Sequence, residues 1–512
     1  MSGLVVLVGG SREDAVRAME RAPHRGAVRE VVELDGITLG VQAPSNPHPH
    51  LGASLHVDED RAVVTTGTPD ARTLARDPSA PGSYAAVVID RRTGRVTPRR
   101  THPGERPLFT RDGSYASEPK QLARPGDAAD REALIERIGG GTQLPDRTGI
   151  AGVHRVLPEW EPEIGTAEMC LEEAIETFRV LLGRAVERRH TPTTGVLMSG
   201  GLDSTAVAAM VPRPARVVSA RHLDHPSADE TPYIQAAGNA LGADVTWTHP
   251  RPATFVVEEG LLHDGPDIAP LTGNMREKLR AARAAGLTAM MDGHDGDVVF
   301  GSMTRLGSHL LRTGQLRLLR AVAAGHARRT GSTTGRVLTG IVRRELLPPS
   351  PPAVPGWVDA ELAEVMRRPG PRTWVEAQRV ALTVSLPLVL EHLERIGLTE
   401  GVPLLHPLAD PDVVSFLASL PPAVRFAGGR PKALVQLGFP ELPAAVRDRE
   451  TKTSFSAVAT AGATPETIRE AIERIGRAPG VAGEPPVDYL SFGERALLAR
   501  ALSAGAFVEA LG

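Results

Sequence analysis

Lysine is scarce in this sequence of 512 amino acids. Among 58 Lys and Arg residues only four are lysine, namely Lys120, Lys278, Lys432 and Lys452. Arginine supplies positive charge almost everywhere else, so a retained lysine can mark a site that needs a compact ammonium group. Codon bias accounts for most of the scarcity, but it does not account for which lysines remain.

Cysteine and long apolar runs are scarce as well. The single cysteine, Cys170, excludes a disulfide framework and a cysteine-based zinc site. No apolar run approaches the ~20 residues needed to cross a bilayer, and the start, MSGLVVLVGG, is too short and uncharged for a signal peptide. A net charge of −3 gives no sign of a polyanionic partner. We therefore expect a soluble, cytoplasmic protein that binds neither nucleic acid nor membrane.

The pattern of apolar residues changes along the chain. Residues 1–160 contain short strand-like runs separated by Gly, Pro and Asp turns. Ala167 to Arg189 has the spacing of an amphipathic helix, and strand-like and helix-like segments alternate after it. This alternation predicts a parallel sheet covered by helices. The predicted fold class is α/β, with one domain over residues 1–160 and a second over residues 165–512.

The segment SGGLDS, residues 199–204, carries the strongest chemical signal. It follows a short apolar strand and opens a helix. Glycines let backbone N–H groups approach phosphate oxygens, and the helix N-terminus adds a positive dipole. A carboxylate inside such a loop, Asp203, would repel phosphate, so it indicates a Mg²⁺ ion carried with a nucleotide. The spacing differs from that of a Walker A loop.

SGGLDS resembles the pyrophosphate loop of ATP pyrophosphatases in the branch that contains asparagine synthetase and β-lactam synthetase. Members of this branch attach AMP to a carboxylate and release pyrophosphate, and an amine then displaces AMP to form an amide. The segment MDGHDGDVVFGS, residues 291–302, is similar to the second acidic loop of the family. That similarity implies that Asp297 is a Mg²⁺ ligand.

Two of the four lysines fall in segments that resemble this family. GGRPKALVQ (428–436) places Lys432 on a family lysine that steadies pyrophosphate, and RETKTSF (449–455) places Lys452 on the catalytic lysine that stabilises the oxyanion. We expect the other two lysines to be solvated. The resemblance implies ATP and Mg²⁺ as cofactors and Asp203 and Asp297 as metal ligands. The implied ATP-binding residues, with the strand after the loop as a candidate for base recognition, are Ser199, Gly200, Gly201, Leu202, Asp203, Ser204, Val217, Ser219, Gly293 and Lys432.

The first domain resembles a class II glutamine amidotransferase, which has an αββα fold. The segments that carry the resemblance are HRGAVRE (24–30), GSYAAVVIDRRTGRV (82–96), HPGERPLF (102–109) and YASEPKQL (115–122). In such enzymes a cysteine directly after the initiator Met frees ammonia from glutamine, but here that position is Ser2. Serine is a poor substitute for a thiolate unless a base activates it, and we expect Cys170 to be a small core residue. We infer that glutaminase activity is lost and that the amine comes from a substrate.

Residues 303–375 form a long insertion, rich in Arg and Leu and broken by PPSPP at 348–352. β-Lactam synthetase has only a short connection here, and the insertion resembles that of lasso peptide cyclases. Those enzymes adenylate an Asp or Glu side chain, and the N-terminal amine of the peptide attacks it to close a macrolactam. The resemblance implies a leader-trimmed peptide substrate, a leader peptidase and a leader-binding protein. A larger substrate fits a larger wall or lid, and an ordinary helical insertion is the alternative.

Deprotonation of the attacking amine needs a base, and His294 has a suitable ordinary pKa. In β-lactam synthetase a Tyr at this position pairs with a Glu from a later helix. Glu391 is the candidate here and Glu394, on the same helix face, is its competitor. A histidine that only forms hydrogen bonds and a glutamate in a plain ion pair are the alternatives.

These observations leave three hypotheses for the function. The first is an ATP-dependent ligase that makes a macrolactam in a peptide. The second is a ligase that makes a β-lactam or uses free ammonia. The third is a non-catalytic scaffold that kept the fold.

Overall fold

The computed structural model describes residues 2–249, 273–346, 353–449, 453, 458, 464–476 and 478–511. The strands are β1 Gly3–Val8, β2 Ala27–Leu34, β3 Ile37–Ala43, β4 Ala53–Val57, β5 Arg61–Thr68, β6 Ser83–Asp90, β7 Val96–Arg100, β8 Phe109–Arg111, β9 Ser114–Ala116, β10 His154–Arg155, β11 Thr194–Leu197, β12 Arg216–Ala220, β13 Asp244–Thr248, β14 Ala289–Met291 and β15 Leu404–Leu405. The α-helices are α1 Arg12–Glu20, α2 Ala71–Arg76, α3 Pro119–Leu122, α4 Arg131–Gly139, α5 Leu171–Arg189, α6 Leu202–Met210, α7 Thr231–Leu241, α8 Gly273–Ala284, α9 Gly296–Val299, α10 Leu306–Arg312, α11 Leu316–Thr330, α12 Thr334–Leu346, α13 Ala360–Arg367, α14 Trp374–Val380, α15 Leu386–Thr399, α16 Pro411–Ser419, α17 Pro422–Arg425, α18 Ala433–Gly438, α19 Ala444–Arg447, α20 Pro465–Ile475 and α21 Phe492–Leu511.

The N-terminal part consists of two antiparallel sheets packed face to face. One sheet has the order β10-β8-β9-β1-β3-β2 and the other has the order β4-β5-β6-β7. Alternate residues of the strands, such as Leu4, Val6, Val64 and Val87, fill the layer between the sheets. Helices cover the outer faces, so this part has the αββα layering that the sequence predicts.

The second part is built on a parallel sheet with the order β13-β12-β11-β14-β15. Helices bury both of its faces, since Val196 and Val217 pack in the core on one side and Leu197 and Val218 in the core on the other. The predicted α/β fold class is therefore confirmed. No helix among the described residues is long and apolar enough to cross a membrane.

The division of the chain at residues 1–160 and 165–512 stays a prediction, and the packing crosses it. Helices α20 and α21, near the end of the chain, share one apolar core with α4 and β1 of the N-terminal part. Leu134 and Ile138 of α4, for example, are buried in the same core as Leu498 and Leu502 of α21. The last helices thus join the two parts as well as closing the second.

The described residues of the predicted insertion, which leave out PPSPP at 348–352, are largely helical and pack beside the segment that contains Lys432. Helices α10, α11 and α12 follow one another, and Leu319 and Val322 of α11 share a core with Trp374 and Phe426. The backbones of α11 and of residues 427–429 touch, because a Cβ atom at Gly325 would lie 2.6 Å from the carbonyl oxygen of Gly429. This contact lies three residues before Lys432.

Buried ion pairs connect the two parts of the protein. On α15, Glu391 accepts hydrogen bonds from Arg155 at 2.8 Å and from Arg100 at 2.9 Å. Glu394, one turn later, accepts from Arg25 at 3.0 Å. All five side chains are buried, and each arginine belongs to the N-terminal part.

Glu391 supplies a test of this connection. Burial alone would raise the pKa of Glu391, but Arg155 and Arg100 hold it at about 2, below its ordinary value of 4.5. Because the folded-state pKa is lowered, the ionised carboxylate stabilises the fold above pH 4.5, and this contribution is lost as the pH falls toward 2. We expect Glu391→Gln to lower the free energy of unfolding by about 3 kcal/mol at neutral pH. Urea unfolding at several pH values measures this, and the gap from wild type should shrink below pH 4.5.

Glu361→Gln is the matched control. Glu361 pairs with Arg131 at 2.9 Å, but both side chains are more than half exposed. An exposed pair contributes about 1 kcal/mol or less. If the two variants lose the same stability, the buried pairs do not hold the two parts together.

Candidate active site

The SGGLDS segment forms a tight loop between β11 and α6. Gly200 has a positive φ of 71°, and a Cβ atom there would lie 3.0 Å from Tyr233. The Ser204 hydroxyl closes the loop by accepting a hydrogen bond from the Ser199 N–H at 3.1 Å, and Thr205 Oγ1 donates to the Gly201 carbonyl at 2.6 Å. Gly201 is the N-cap of α6, so the first N–H groups of the helix lie beside the loop, as an anion site requires.

The second acidic loop packs directly against the first. It follows β14, which lies next to β11 in the sheet. A Cβ atom at Gly293 would lie 2.3 Å from the Ser204 backbone nitrogen, and one at Gly296 would lie 2.1 Å from the Asp203 carboxyl carbon. The two loops approach this closely only because both positions are glycine.

Lys432 joins the two loops electrostatically. Its Nζ contacts a carboxylate oxygen of Asp203 and lies 2.8 Å from Asp297 Oδ1. Burial alone would lower the pKa of Lys432, but Asp203 and Asp297 outweigh it and raise the pKa above its ordinary value. The side chain is therefore a charged ammonium group. The structure brings together three residues that the sequence assigned to one site.

The same two carboxylates fit a Mg²⁺ ion bound with a nucleotide. Mg²⁺ is usually held by one or two carboxylates together with substrate phosphates rather than by a full set of protein ligands. The described residues contain no group of three or more His, Cys, Asp or Glu side chains that could hold a metal by themselves. Asp203 and Asp297, already close to one cation, match the shared arrangement. Their role as metal ligands stays a prediction.

His294 lies in the second acidic loop with an exposed side chain. Its backbone N–H donates to Asp292 Oδ1 at 3.3 Å. Although the ring is exposed, it is crowded by protein, and this desolvation lowers its pKa; Lys278 and His406 lower it further, against the opposing effect of Asp292. The ring is therefore neutral at physiological pH and can accept a proton.

Lys278 was expected to be solvated, and that expectation is wrong. It lies on α8 with a half-buried side chain. Asp292 acts to raise the pKa of Lys278, and Lys278 in turn lowers the pKa of His294. Burial lowers the pKa of Lys278 in spite of Asp292 and Glu230. Lys120, also expected to be solvated, pairs at 3.0 Å with the buried Glu118. No motif marked either contact, because both depend on tertiary packing.

A buried charge cluster behind the loop also escaped the sequence analysis. His406 Nδ1 lies 2.9 Å from Asp292 Oδ1 and 3.8 Å from Asp295 Oδ2. Burial would lower the pKa of His406, but these carboxylates raise it to about 9. Burial raises the pKa of Asp295 to about 7. Part of the signal was available in the sequence, since Asp292 and Asp295 belong to the acidic loop.

Val217 and Ser219 lie inside the parallel sheet, on β12 beside β11. Both side chains are fully buried, and the Ser219 hydroxyl donates to the Met198 carbonyl at 2.6 Å. The hydroxyl of Ser219 thus fixes Met198, the residue just before the SGGLDS loop. Recognition of the base by this strand stays a prediction.

The structure does not bring Glu391 to His294 through any contact among the described residues. Its carboxylate binds Arg155 and Arg100, and the competing Glu394 binds Arg25. These contacts make both glutamates part of the connection between domains. A catalytic role for Glu391 stays a prediction that its contacts do not favour.

Lys452 lies outside the described residues. Its described neighbour in sequence, Arg449, donates to Glu230 Oε1 at 2.8 Å and stacks 3.8 Å over the Tyr233 ring. Tyr233 is the residue that crowds Gly200 of the nucleotide loop. The described start of the RETKTSF segment therefore packs beside that loop.

Ser2 lies just before β1 and Cys170 at the N-cap of α5, so the two residues belong to different elements. Ser2 is buried, and its hydroxyl has no hydrogen-bond partner among the residues that the structure describes. Arg25 donates to the Ser2 carbonyl at 3.0 Å. Cys170 is exposed at the N-cap of α5, so the prediction that it is a core residue is wrong. A cap position suits it because Sγ accepts from the Glu173 N–H at 3.5 Å.

Gly293 tests the close approach of the two loops. We expect Gly293→Ala to push the acidic loop away from Ser204 and to weaken nucleotide binding by about tenfold or more, since overpacking costs about 1–3 kcal/mol. Titration with a fluorescent ATP analogue measures the dissociation constant. Gly335→Ala is the matched control, because a Cβ atom there meets nothing within 4 Å. Equal affinity of both variants and wild type would contradict the described packing.

Comparison with known proteins adds a family to this geometry. Among curated proteins no match is found. Residues 177–503 match the asparagine synthase family, and this range contains both loops, Lys432 and the whole parallel sheet. Members of that family are ATP-dependent ligases that form amide bonds. Because the match covers more than half of the sequence, the chain belongs to the asparagine synthase family.

Proposed function

We propose that this protein activates a carboxylate of a peptide with ATP, releases pyrophosphate and closes a macrolactam, as lasso peptide cyclases do. The observation that carries the proposal is the position of Lys432 between Asp203 and Asp297, on loops that glycine alone allows to touch. An ammonium group at that point can neutralise the charge that develops on a leaving pyrophosphate. A scaffold without catalysis has no need of it.

The described residues divide the work of the first step. Backbone N–H groups of residues 199–204 and the start of α6 bind phosphate oxygens. Asp203 and Asp297 would hold Mg²⁺, and the bound ion would supply positive charge that offsets the charge of the phosphates. The ammonium group of Lys432 exchanges its contacts with the two carboxylates for contacts with the pyrophosphate as that group leaves.

In the second step the amine attacks the acyl-adenylate, a C–N bond forms, and the C–O bond to AMP breaks so that AMP leaves. His294, neutral and exposed, takes the proton of the attacking amine, and Lys452 stabilises the oxyanion. Both reacting groups belong to one peptide, so the protein accelerates the reaction largely by holding them in reach of each other. Ser2 is buried and its hydroxyl forms no hydrogen bond with any residue that the structure describes, which supports an amine that does not come from glutamine.

The helical insertion favours a peptide over a small substrate. Its helices add a wall beside the Lys432 segment, which a β-lactam precursor or ammonia does not require. A β-lactam-forming or ammonia-dependent ligase uses the same first step and is the second candidate. A leader-trimmed peptide, a leader peptidase and a leader-binding protein are the partners that this proposal implies, in the cytoplasm.

Lys432 tests the adenylation step. We expect Lys432→Met to lower peptide-dependent pyrophosphate release by about 10²–10³-fold, the loss typical of removing one group that stabilises developing charge. Pyrophosphate release is measured with ATP, Mg²⁺ and peptides that carry an internal Asp or Glu. Lys120→Met is the matched control and should keep its activity, since Lys120 pairs with Glu118 in the N-terminal part.

The product separates the candidates. A macrolactam appears in mass spectrometry as a peptide that has lost one water and resists digestion by an aminopeptidase. Capture of added ammonia, or a product only from a small β-amino acid, would favour the second candidate. Absence of AMP and pyrophosphate with every peptide and amino acid would contradict a ligase and support a scaffold.

A further inference from the structure

The insertion carries a concentration of positive charge unlike the rest of the protein. Residues 303–346 contain nine arginines, no lysine and a single acidic residue, Glu345. This segment therefore has a net charge of +8, whereas the whole chain has −3, which leaves −11 for all other residues. Such a local excess makes a positive field at the surface despite the negative total.

Most of this charge lies on the outside of a helical hairpin made by α11 and α12. The exposed arginines are Arg317, Arg320, Arg336, Arg343 and Arg344, which we call the basic face. None of these five forms an ion pair with any residue that the structure describes. The single acid, Glu345, is taken by Arg312 at 2.6 Å.

The inner side of the same hairpin is committed to packing. On α11, Gly325 touches the backbone of Gly429, and on α12, Ile341 packs against Gly307 of α10. Arg320 and Arg317 lie five and eight residues before Gly325 on α11, which is about 8 and 12 Å along the helix axis. The site of ligand binding and the site of pyrophosphate release would share one rigid helix.

We propose that the basic face binds an acidic, partly apolar segment of the peptide substrate and thereby holds the reacting carboxylate near Lys432. The proposal rests on the proposed function, since it concerns the substrate of that same site. Two exposed apolar side chains, Leu316 and Val342, adjoin the arginines and fit a segment that mixes Asp or Glu with aliphatic residues. Charge complementarity of this kind speeds association and fixes register.

Two other polyanions fit the basic face less well. Proteins usually bind single-stranded nucleic acid with aromatic side chains on which the bases stack. Residues 303–346 contain no Phe, Tyr or Trp. An anionic membrane binds a basic helix through a free apolar face, but Leu338 and Ile341 of α12 already pack within the insertion.

Binding of a fluorescent peptide that mixes Glu with Leu tests the proposal directly. We expect saturable binding that weakens with salt, and a loss of about tenfold or more in the variant R317E/R320E/R343E. The matched control R72E/R76E makes the same type of change on exposed residues of α2 in the N-terminal part and should bind like wild type. Circular dichroism confirms that each variant is folded. Equal binding by wild type and the triple variant would overturn the proposal.

Competition and turnover complete the test. An oligonucleotide or phosphatidylserine vesicles that bind more tightly than the peptide, and lose binding in the triple variant, would also overturn it. With acidic peptide substrates, the triple variant should raise the KM for the peptide while keeping kcat and the KM for ATP. A different outcome would separate the two proposals. If wild type and the triple variant both fail to release pyrophosphate, but the peptide still binds the basic face of wild type and of Lys432→Met, then the proposed function is wrong and the proposed binding surface is supported.

Discussion

The geometry of the candidate site depends on one ammonium group, that of Lys432, placed between the carboxylates of Asp203 and Asp297. Asp203 comes from the start of α6, Asp297 from the start of α9, and Lys432 from the N-cap of α18. Without a cation between them the two carboxylates would repel each other, and the low dielectric of a partly buried site would strengthen that repulsion. Opposite charge thus holds together three segments that lie 94 residues (Asp203 to Asp297) and 135 residues (Asp297 to Lys432) apart in the sequence. In the function that we propose, the same carboxylates would face a metal ion and the ammonium group would face phosphate.

Glycine makes this contact possible from two directions. Gly293 and Gly296 let the acidic loop touch the start of α6, and Gly325 lets the insertion touch Gly429 just before Lys432. The contacts at Gly293 and Gly325 are with backbone atoms, so no flexible side chain can absorb an error in position there, whereas Gly296 lies against the Asp203 carboxylate. The insertion is therefore part of the support of the site.

The sequence predicted the parts of the site that are local and failed where the contacts are not. The strand, loop and helix around SGGLDS follow from apolar spacing and glycine position, and Asp297 and Lys432 were assigned from short segments. The expectation that Lys278 is solvated was wrong, and the catalytic role predicted for Glu391 is not favoured by its contacts. In both cases the surroundings of a charged residue on a helix depend on what packs against it. A glutamate on a half-buried helix has the same sequence signal whether it faces a substrate or, as Glu391 does, two arginines of another domain.

Those arginines give a physical reason for a domain that keeps its fold without a cysteine nucleophile. Glu391 and Glu394 are buried on α15, and a buried carboxylate without a partner costs several kcal/mol. Their partners Arg155, Arg100 and Arg25 all come from the N-terminal part. In return, Arg189 at the end of α5 binds Glu105 of that part at 3.0 Å. Loss of the N-terminal part would leave Glu391, Glu394 and Arg189 without these ion-pair partners. The second part could therefore fold without it only if several of these residues changed together.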